Sequence, residues 1–219
     1  MKKQALVLGL GQFGMSLVRS LTELNVDVFA VDRNPDLTRL AADVAAESAT
    51  FDGTHEEALA RTAPARRDVC ICAIGDESRD AAIMCTALLR QMGAPRVISR
   101  AADPVLERIL LLVGAHEVVN PEHAFGQRLA VHLAHEGVMG EYPLSAGIKI
   151  TEMRVPESFV GRTLIELGLP RKHGVTVVAL QRGSEAYPSP DPKEPLQRDD
   201  LLVVVSKTGA VSKMLDRIG

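Results

Sequence analysis

The stretch ALVLGLGQFGMSLVRSL, residues 5–21, reads as a strand, a glycine-rich turn and a helix. Gly9, Gly11 and Gly14 form G-x-G-x-x-G where that motif has to stand, after an apolar run and at the start of a helical stripe of Met15, Leu17, Val18 and Leu21. Gly9 permits the tight turn, Gly11 lets backbone approach a pyrophosphate, and Gly14 lets the helix pack closely on the sheet. The free N–H groups of the helix's first turn, around Gln12 and Phe13, then face phosphates with a favourable dipole.

Three neighbouring segments extend this site. DVFAVD ends at Asp32, near the distance after the loop at which a carboxylate accepts both ribose hydroxyls. That favours an unphosphorylated ribose, as in NAD or an adenine nucleotide, with Arg33 the one neighbour that could accommodate a 2′-phosphate. The lesser alternative for Asp32 is a turn or helix cap. FDGTHEE puts Asp52, Gly53 and Thr54 at the end of a third strand, where an adenine would lie. AIGDES puts Ala73, Ile74 and Gly75 after a fourth, where backbone can pass near the phosphates. Each is a routine turn in isolation; together they line the carboxyl edge of one sheet, where ligands bind in this architecture.

From residue 4 to about 120 the chain alternates short apolar runs (QALVLG, DVFAVD, AESATFD, DVCICAIG, RVISRA, HEVVNP) with helix-like segments. Six strands and five helices in alternation predict an α/β fold, a Rossmann-like doubly wound parallel sheet. PEHAFGQRLAVHLAHEG, residues 121–137, predicts a connecting helix opened by Pro121 and stopped by Gly137. Beyond it IKITEMRVP, GVTVVALQRG and DDLLVVVSK read as strands, TLIELG and TGAVSKMLDRI as brief helices, and GSEAYPSPDPKEP as an irregular separator. The expected organisation is a nucleotide-binding domain at 1–120, a linker helix at 121–138 and a small α+β domain at 139–219.

Composition narrows the function. The 219 residues are 46% hydrophobic and 24% charged with a net charge of −3, which argues against a general electrostatic grip on nucleic acid or an anionic membrane. Aromatics at 3% and the absence of Trp leave no stacking platform for single strands. Cys70, Cys72 and Cys85 are too few for a disulfide scaffold and point to a reducing compartment. Cys70 and Cys72 alternate as one face of a buried strand, and no second pair completes a metal site. MKKQALVLGL is basic and then apolar, but its apolar run is short and broken by glycine, and no segment reaches the roughly 18 apolar residues of a membrane span. The expected location is cytoplasmic.

A dehydrogenase would share the glycine motif and Asp32, so an NAD(H)-dependent oxidoreductase stands as the second reading. It needs a proton donor or acceptor beside the nicotinamide. Of His55, His116, His123, His132, His135 and His173, only His132 and His135 share a helix face, and Glu136, one residue on, points elsewhere. There is no Tyr-x-x-x-Lys pair, and neither terminus carries the basic recognition helix of a repressor.

GLGQFG (9–14), AVDRN (30–34), the Asp-Gly-Thr at 52–54, AIG (73–75) and NPEHAFG (120–126) resemble the RCK domain of the KtrA and TrkA proteins, cytosolic regulatory subunits of bacterial potassium channels and transporters. VGRTLIELGLPRKHGVTVVALQRG (160–183) followed by DDLLVVVSK (199–207) is similar to the family's RCK-C, or TrkA-C, module. The resemblance covers essentially the whole chain in order. It implies an N-terminal domain (RCK-N) that dimerises, a crossover helix, and a C-terminal domain that also dimerises. The assembly it implies is a homo-octameric ring beneath a membrane-embedded potassium channel or transporter, with no nucleic-acid partner. Exchange of ATP, ADP or NAD(H) on the N-domain would gate ion flux, a non-enzymatic role.

By position the resemblance implies phosphates at Gly9, Gly11 and Gly14, a ribose at Asp32, and adenine beside Asp52 and Thr54. It implies Arg100 reaching toward phosphates across the dimer, and Glu122 holding a divalent cation near them. Where the family carries an arginine for the terminal phosphate of ATP, this chain has the uncharged Gln12, so the choice among ATP, ADP and NAD(H) stays open. Some relatives bind cyclic-di-AMP through a C-domain arginine; a gap-free reading puts Pro170 there, with Arg171 one step later. LPRKHG reads equally well as a turn with solvated charges.

Overall fold

The structure is a computed structural model and describes residues 2–134 and 137–218. Packing divides it into two units, Met1–His123 and Ala124–Gly219.

The first unit alternates strand and helix: β1 (Gln4–Leu8), α1 (Gln12–Glu23), β2 (Asp27–Asp32), α2 (Pro35–Ala42), β3 (Glu47–Thr50), α3 (Glu56–Ala60), β4 (Val69–Cys72), α4 (Arg79–Gln91), β5 (Val97–Arg100), α5 (Pro104–Leu112) and β6 (Glu117–Val119). The strands form one parallel sheet in the order β3-β2-β1-β4-β5-β6, the doubly wound order that sequence alternation predicts. Ala5, Leu6, Val7 and Leu8 are all buried, because a central parallel strand is covered on both faces and therefore reads as an unbroken apolar run. Cys70 and Cys72 of β4 pack with Leu6, Leu8 and Leu89 on one face, while Ile71 packs with Val7 and Val18 on the other. All three cysteines are buried and unbridged. Local sequence starts the helices: Asn34 caps α2 by accepting the Asp36 N–H, and Asp103 caps α5 by accepting those of Val105 and Leu106, each with proline at the first helical position.

Register fixes where the site forms. Leu8 pairs with both Val31 and Cys72, and Cys72 pairs with Ser99. The residues that follow, Gly9, Asp32, Ala73 and Arg100, therefore leave the sheet side by side. They do so where β1 and β4 send their chains in opposite directions, the topological switch point of this fold.

The division between units falls within α6 (Pro121–Ala134). His135 and Glu136 lie outside the described residues, and with them the expected His132–His135 face; the His132 ring instead donates from Nδ1 to the Val138 carbonyl at 2.6 Å. The second unit continues with β7 (Val138–Ser145), β8 (Ile148–Arg154), α7 (Leu164–Leu167), α8 (Leu169–His173), β9 (Val175–Arg182), β10 (Glu185–Pro188), β11 (Leu201–Lys207) and α9 (Ala210–Ile218). Its sheet is antiparallel, β10-β9-β11-β8-β7, over a core of Met153, Val175, Leu202 and Val204 closed by Val211 and Met214 of α9.

Sequence reading finds the three inner strands and misses both edges. β7 contains Gly140 and Pro143, and β10 ends at Pro188 inside the expected separator; edge strands tolerate such residues because one side of their backbone bonds to nothing. LPRKHG is not a plain turn but the short helix α8, started and stopped by Gly168 and Gly174 at φ 58° and 66°. The link between β9 and β11 is pinned from inside. Asp200, 1% exposed, accepts Arg182 Nε and a second guanidinium nitrogen, both at 2.8 Å, together with the Gln197 N–H, and Arg182 also pairs with Glu194. Among the described residues no helix is long and apolar enough to cross a membrane.

Candidate functional site

A cavity of about 480 Å³ opens at the carboxyl ends of β1, β2, β4 and β5. Its floor is the glycine loop. Gly9 sits at φ 92° and donates its N–H to Val31 O at 2.8 Å; a Cβ there would lie 2.9 Å from the Ile74 nitrogen. At Gly14 a Cβ would fall 1.9 Å from the Gly9 carbonyl oxygen, so α1 can rest on the loop only because that residue has no side chain. Gly11 differs, since a Cβ there would meet nothing within 4 Å. The loop thus spends two glycines on its own packing and leaves the third bare toward open space. No side chain caps the first turn of α1, so its N–H groups are available to an anion.

Asp32 closes the turn that leads to the Asn34 cap and still lines the cavity. Its Oδ2 accepts the Leu10 N–H at 2.7 Å and its Oδ1 the Asn34 N–H at 2.8 Å, which fixes the end of β2 to the glycine loop. Each carboxylate oxygen keeps a second acceptor site. Arg33 lines the cavity beside it. Across the cavity, Asp52 Oδ1 accepts the backbone N–H of Thr54 at 2.9 Å and its hydroxyl at 2.8 Å. These two bonds hold the Asp52 carboxyl below its usual range against a smaller opposing effect of burial.

On the third side Arg100 stands 6.0 Å over the Phe13 ring and pairs with Glu122 at 2.5 Å, so both groups reach the cavity of their own chain. The Arg100 Nε is buried and meets no hydrogen-bond partner among the described residues. Gly75 adjoins this corner: a Cβ there would lie 3.3 Å from Glu77 Oε1 and 3.5 Å from an Arg100 terminal nitrogen, both at the ends of flexible side chains.

Of the residues singled out from sequence, Gly9, Gly11, Gln12, Phe13, Asp32, Arg33, Asp52, Gly53, Ala73, Ile74, Gly75, Arg100 and Glu122 line the cavity. Gly14 and Thr54 do not: one packs beneath the loop, and the other is turned onto Asp52. Sequence reading missed Leu8, Val31, Asn34, Leu37, Phe51, Glu77, Ser78 and Ala81 among the lining residues. Asn34, Phe51 and Glu77 stand within two residues of named ones and could be found by extending each strand-end motif. Leu37 and Ala81 belong to helices that only the fold brings over the cavity.

Two expectations find little footing in a single chain. Among the described residues no three His, Cys, Asp or Glu come together as metal ligands, and Glu122 is engaged by Arg100. A cation at Glu122 would need oxygen ligands beyond this one carboxylate, such as phosphate oxygens and water. In the second unit a cavity of about 260 Å³ lies between Leu164, Leu180, Arg182, Tyr187 and Glu194, and it includes neither Pro170 nor Arg171.

The chain matches the TrkA-N domain over residues 5–121 and the TrkA-C domain over residues 150–219. It is 31% identical over 218 residues to the Ktr system potassium uptake protein C of Bacillus subtilis (strain 168), covering 100% of this chain and 98% of that one. To the Ktr system potassium uptake protein A of Vibrio alginolyticus it is 32% identical over 213 residues, covering 97% and 96%. Among solved structures it is similar to the GsuK channel, with a TM-score of 0.73 at 21% identity, and to the GsuK channel bound to NAD, with 0.70 at 19%. Each comparison covers 100% of this chain and 40% of the other, and at these identities the likeness is one of fold. With both domains matched in order and a relative above 30% identity along its whole length, the chain belongs to the TrkA-N/TrkA-C family that includes the Ktr system potassium uptake proteins.

Proposed function

We propose that the chain is a nucleotide-sensing regulatory subunit of potassium transport, acting on a membrane-embedded channel or transporter from the cytoplasmic side. The observation that carries this reading is the cavity. It brings a bare glycine loop, an uncapped helix N-terminus and Asp32 to one sheet edge, in a chain whose relatives are named for potassium uptake. The ligand is an adenine nucleotide (ATP or ADP) or NAD(H), with phosphates on Gly9–Phe13, ribose on Asp32 and adenine toward Asp52 and Gly53. The NAD-bound GsuK channel, which shares the fold, supports a dinucleotide in such a cavity. A ligand can shift a conformational equilibrium only by its differential affinity for the two states. Paired N-domains (1–120), joined through the 121–138 segment to dimerising C-domains (139–219) in a homo-octameric ring, supply those states. The chain acts without catalysis, and no histidine stands among the described residues lining the cavity.

The test is calorimetric titration with ATP, ADP, NAD, NADH and cyclic-di-AMP, alongside particle mass by light scattering. The reading expects distinct affinities for adenine nucleotides, lost in Asp32→Ala, on an octamer-sized particle. A dimer that binds NADH selectively and oxidises it with a small carbonyl substrate would instead establish the oxidoreductase.

A further inference from the structure

The charges around the cavity are unusual for a phosphate site. Among its described lining residues four carboxylates, Asp32, Asp52, Glu77 and Glu122, face two guanidinium groups, Arg33 and Arg100. Arg33 neighbours Asp32 at the ribose end, and Gln12 at the loop is uncharged. Arg100, above the Phe13 ring, is therefore the cation placed at the phosphate end, and Glu122 already engages it. Glu77 closes on the same corner, beside Gly75. What remains for phosphate is the bare backbone of the loop and the dipole of α1, equivalent to about half a positive charge.

Such a site suits a small phosphate charge and resists a large one. A dinucleotide carries about two negative charges on its pyrophosphate, both on diester phosphates. A nucleoside triphosphate at neutral pH carries about four, some on a terminal group that must lie near carboxylates. Resting on the nucleotide reading above, we infer that the Arg100–Glu122 pair selects for phosphate charge. In the absence of a divalent cation the cavity takes a dinucleotide such as NAD in preference to ATP. Glu122 sets this preference by holding Arg100 neutralised; a triphosphate has to displace the carboxylate before it can use the guanidinium, and then lies against the carboxylate it displaced.

The test is titration of the full chain with NAD and with ATP in a chelator, at fixed ionic strength, for the native protein, Glu122→Gln and Arg100→Gln. The native chain binds NAD more tightly than ATP. Glu122→Gln tightens ATP roughly three- to tenfold, the range for releasing a partly exposed charge pair, and tightens NAD by about the square root of that factor because half the charge is present. Arg100→Gln weakens both. A native chain that takes ATP at least as tightly as NAD without metal overturns the inference, as does a Glu122→Gln chain with an unchanged affinity ratio. Heat from neither ligand, on protein shown folded by circular dichroism, removes the nucleotide reading itself. A wrong ratio with binding intact removes only the selector.

Discussion

The glycines of the loop separate two demands that a motif merges into one pattern. Gly14 has no room for a side chain, because its Cβ would strike the Gly9 carbonyl at 1.9 Å, whereas Gly11, at φ −61° with nothing within 4 Å, could carry one without strain. Gly14→Ala is therefore expected to cost the first unit about 1–3 kcal/mol, read as a lower denaturant midpoint. Gly11→Ala should change the unfolding free energy by no more than about 0.5 kcal/mol, as at a surface position, while its methyl group occupies the phosphate cradle and weakens nucleotide binding about tenfold or more in titration. Equal destabilisation by both would show that Gly11 is structural as well. The same residues mark how far sequence carries the site. Steric demands on glycine and the place of Asp32 after its strand are local, so they are legible in one line of sequence. The Arg100–Glu122 pair and the approach of Glu77 depend on the ends of β4 and β5 meeting the start of α6, which no local pattern encodes.

At the scale of single elements, the link between β9 and β11 rests on one buried carboxylate. Burial pushes the Asp200 carboxyl up, but the Arg182 guanidinium and the Gln197 N–H pull it down further, and it ends below the usual range. A depressed carboxyl stabilises the fold above its unfolded pKa of about 3.9, and that contribution is lost as pH falls through the folded value. The second unit should therefore lose stability in acid below about pH 4, followed by near-ultraviolet circular dichroism. Asp200→Asn removes the charge partner of Arg182 and should cost about 3 kcal/mol at neutral pH, with a flatter acid limb. A neutral-pH midpoint unchanged in that variant would mean that Glu194 alone suffices for Arg182. Strands inside this sheet were legible because their apolar runs are dense. β7 and β10 were hidden by Pro143 and Pro188, residues that argue against a central strand and are allowed at an edge. The helix α8 was hidden by its brevity and by the glycines that bound it.

Across the whole molecule, α6 presents Phe125, Leu129 and Leu133, 59%, 43% and 75% exposed, at successive i, i+4 positions. In the ring proposed above this stripe is buried between subunits. Replacing Leu129 and Leu133 together by Glu is expected to lower the particle mass seen by light scattering while far-ultraviolet circular dichroism is unchanged. An undiminished particle would place the subunit contact elsewhere. The fold offers a direct way to watch the two units separately. Every thiol in the chain belongs to the first unit, and Cys70, Cys72 and Cys85 are each 0% exposed. An alkylating reagent added to folded protein can modify them only during excursions that open that unit, so its rate is a clock for those openings to which the second unit is silent. A ligand bound only to the closed form slows that clock by the factor 1 + [L]/Kd. Nucleotide affinity could then be timed on the intact chain, by mass spectrometry of three cysteines, without separating the domains or adding a label.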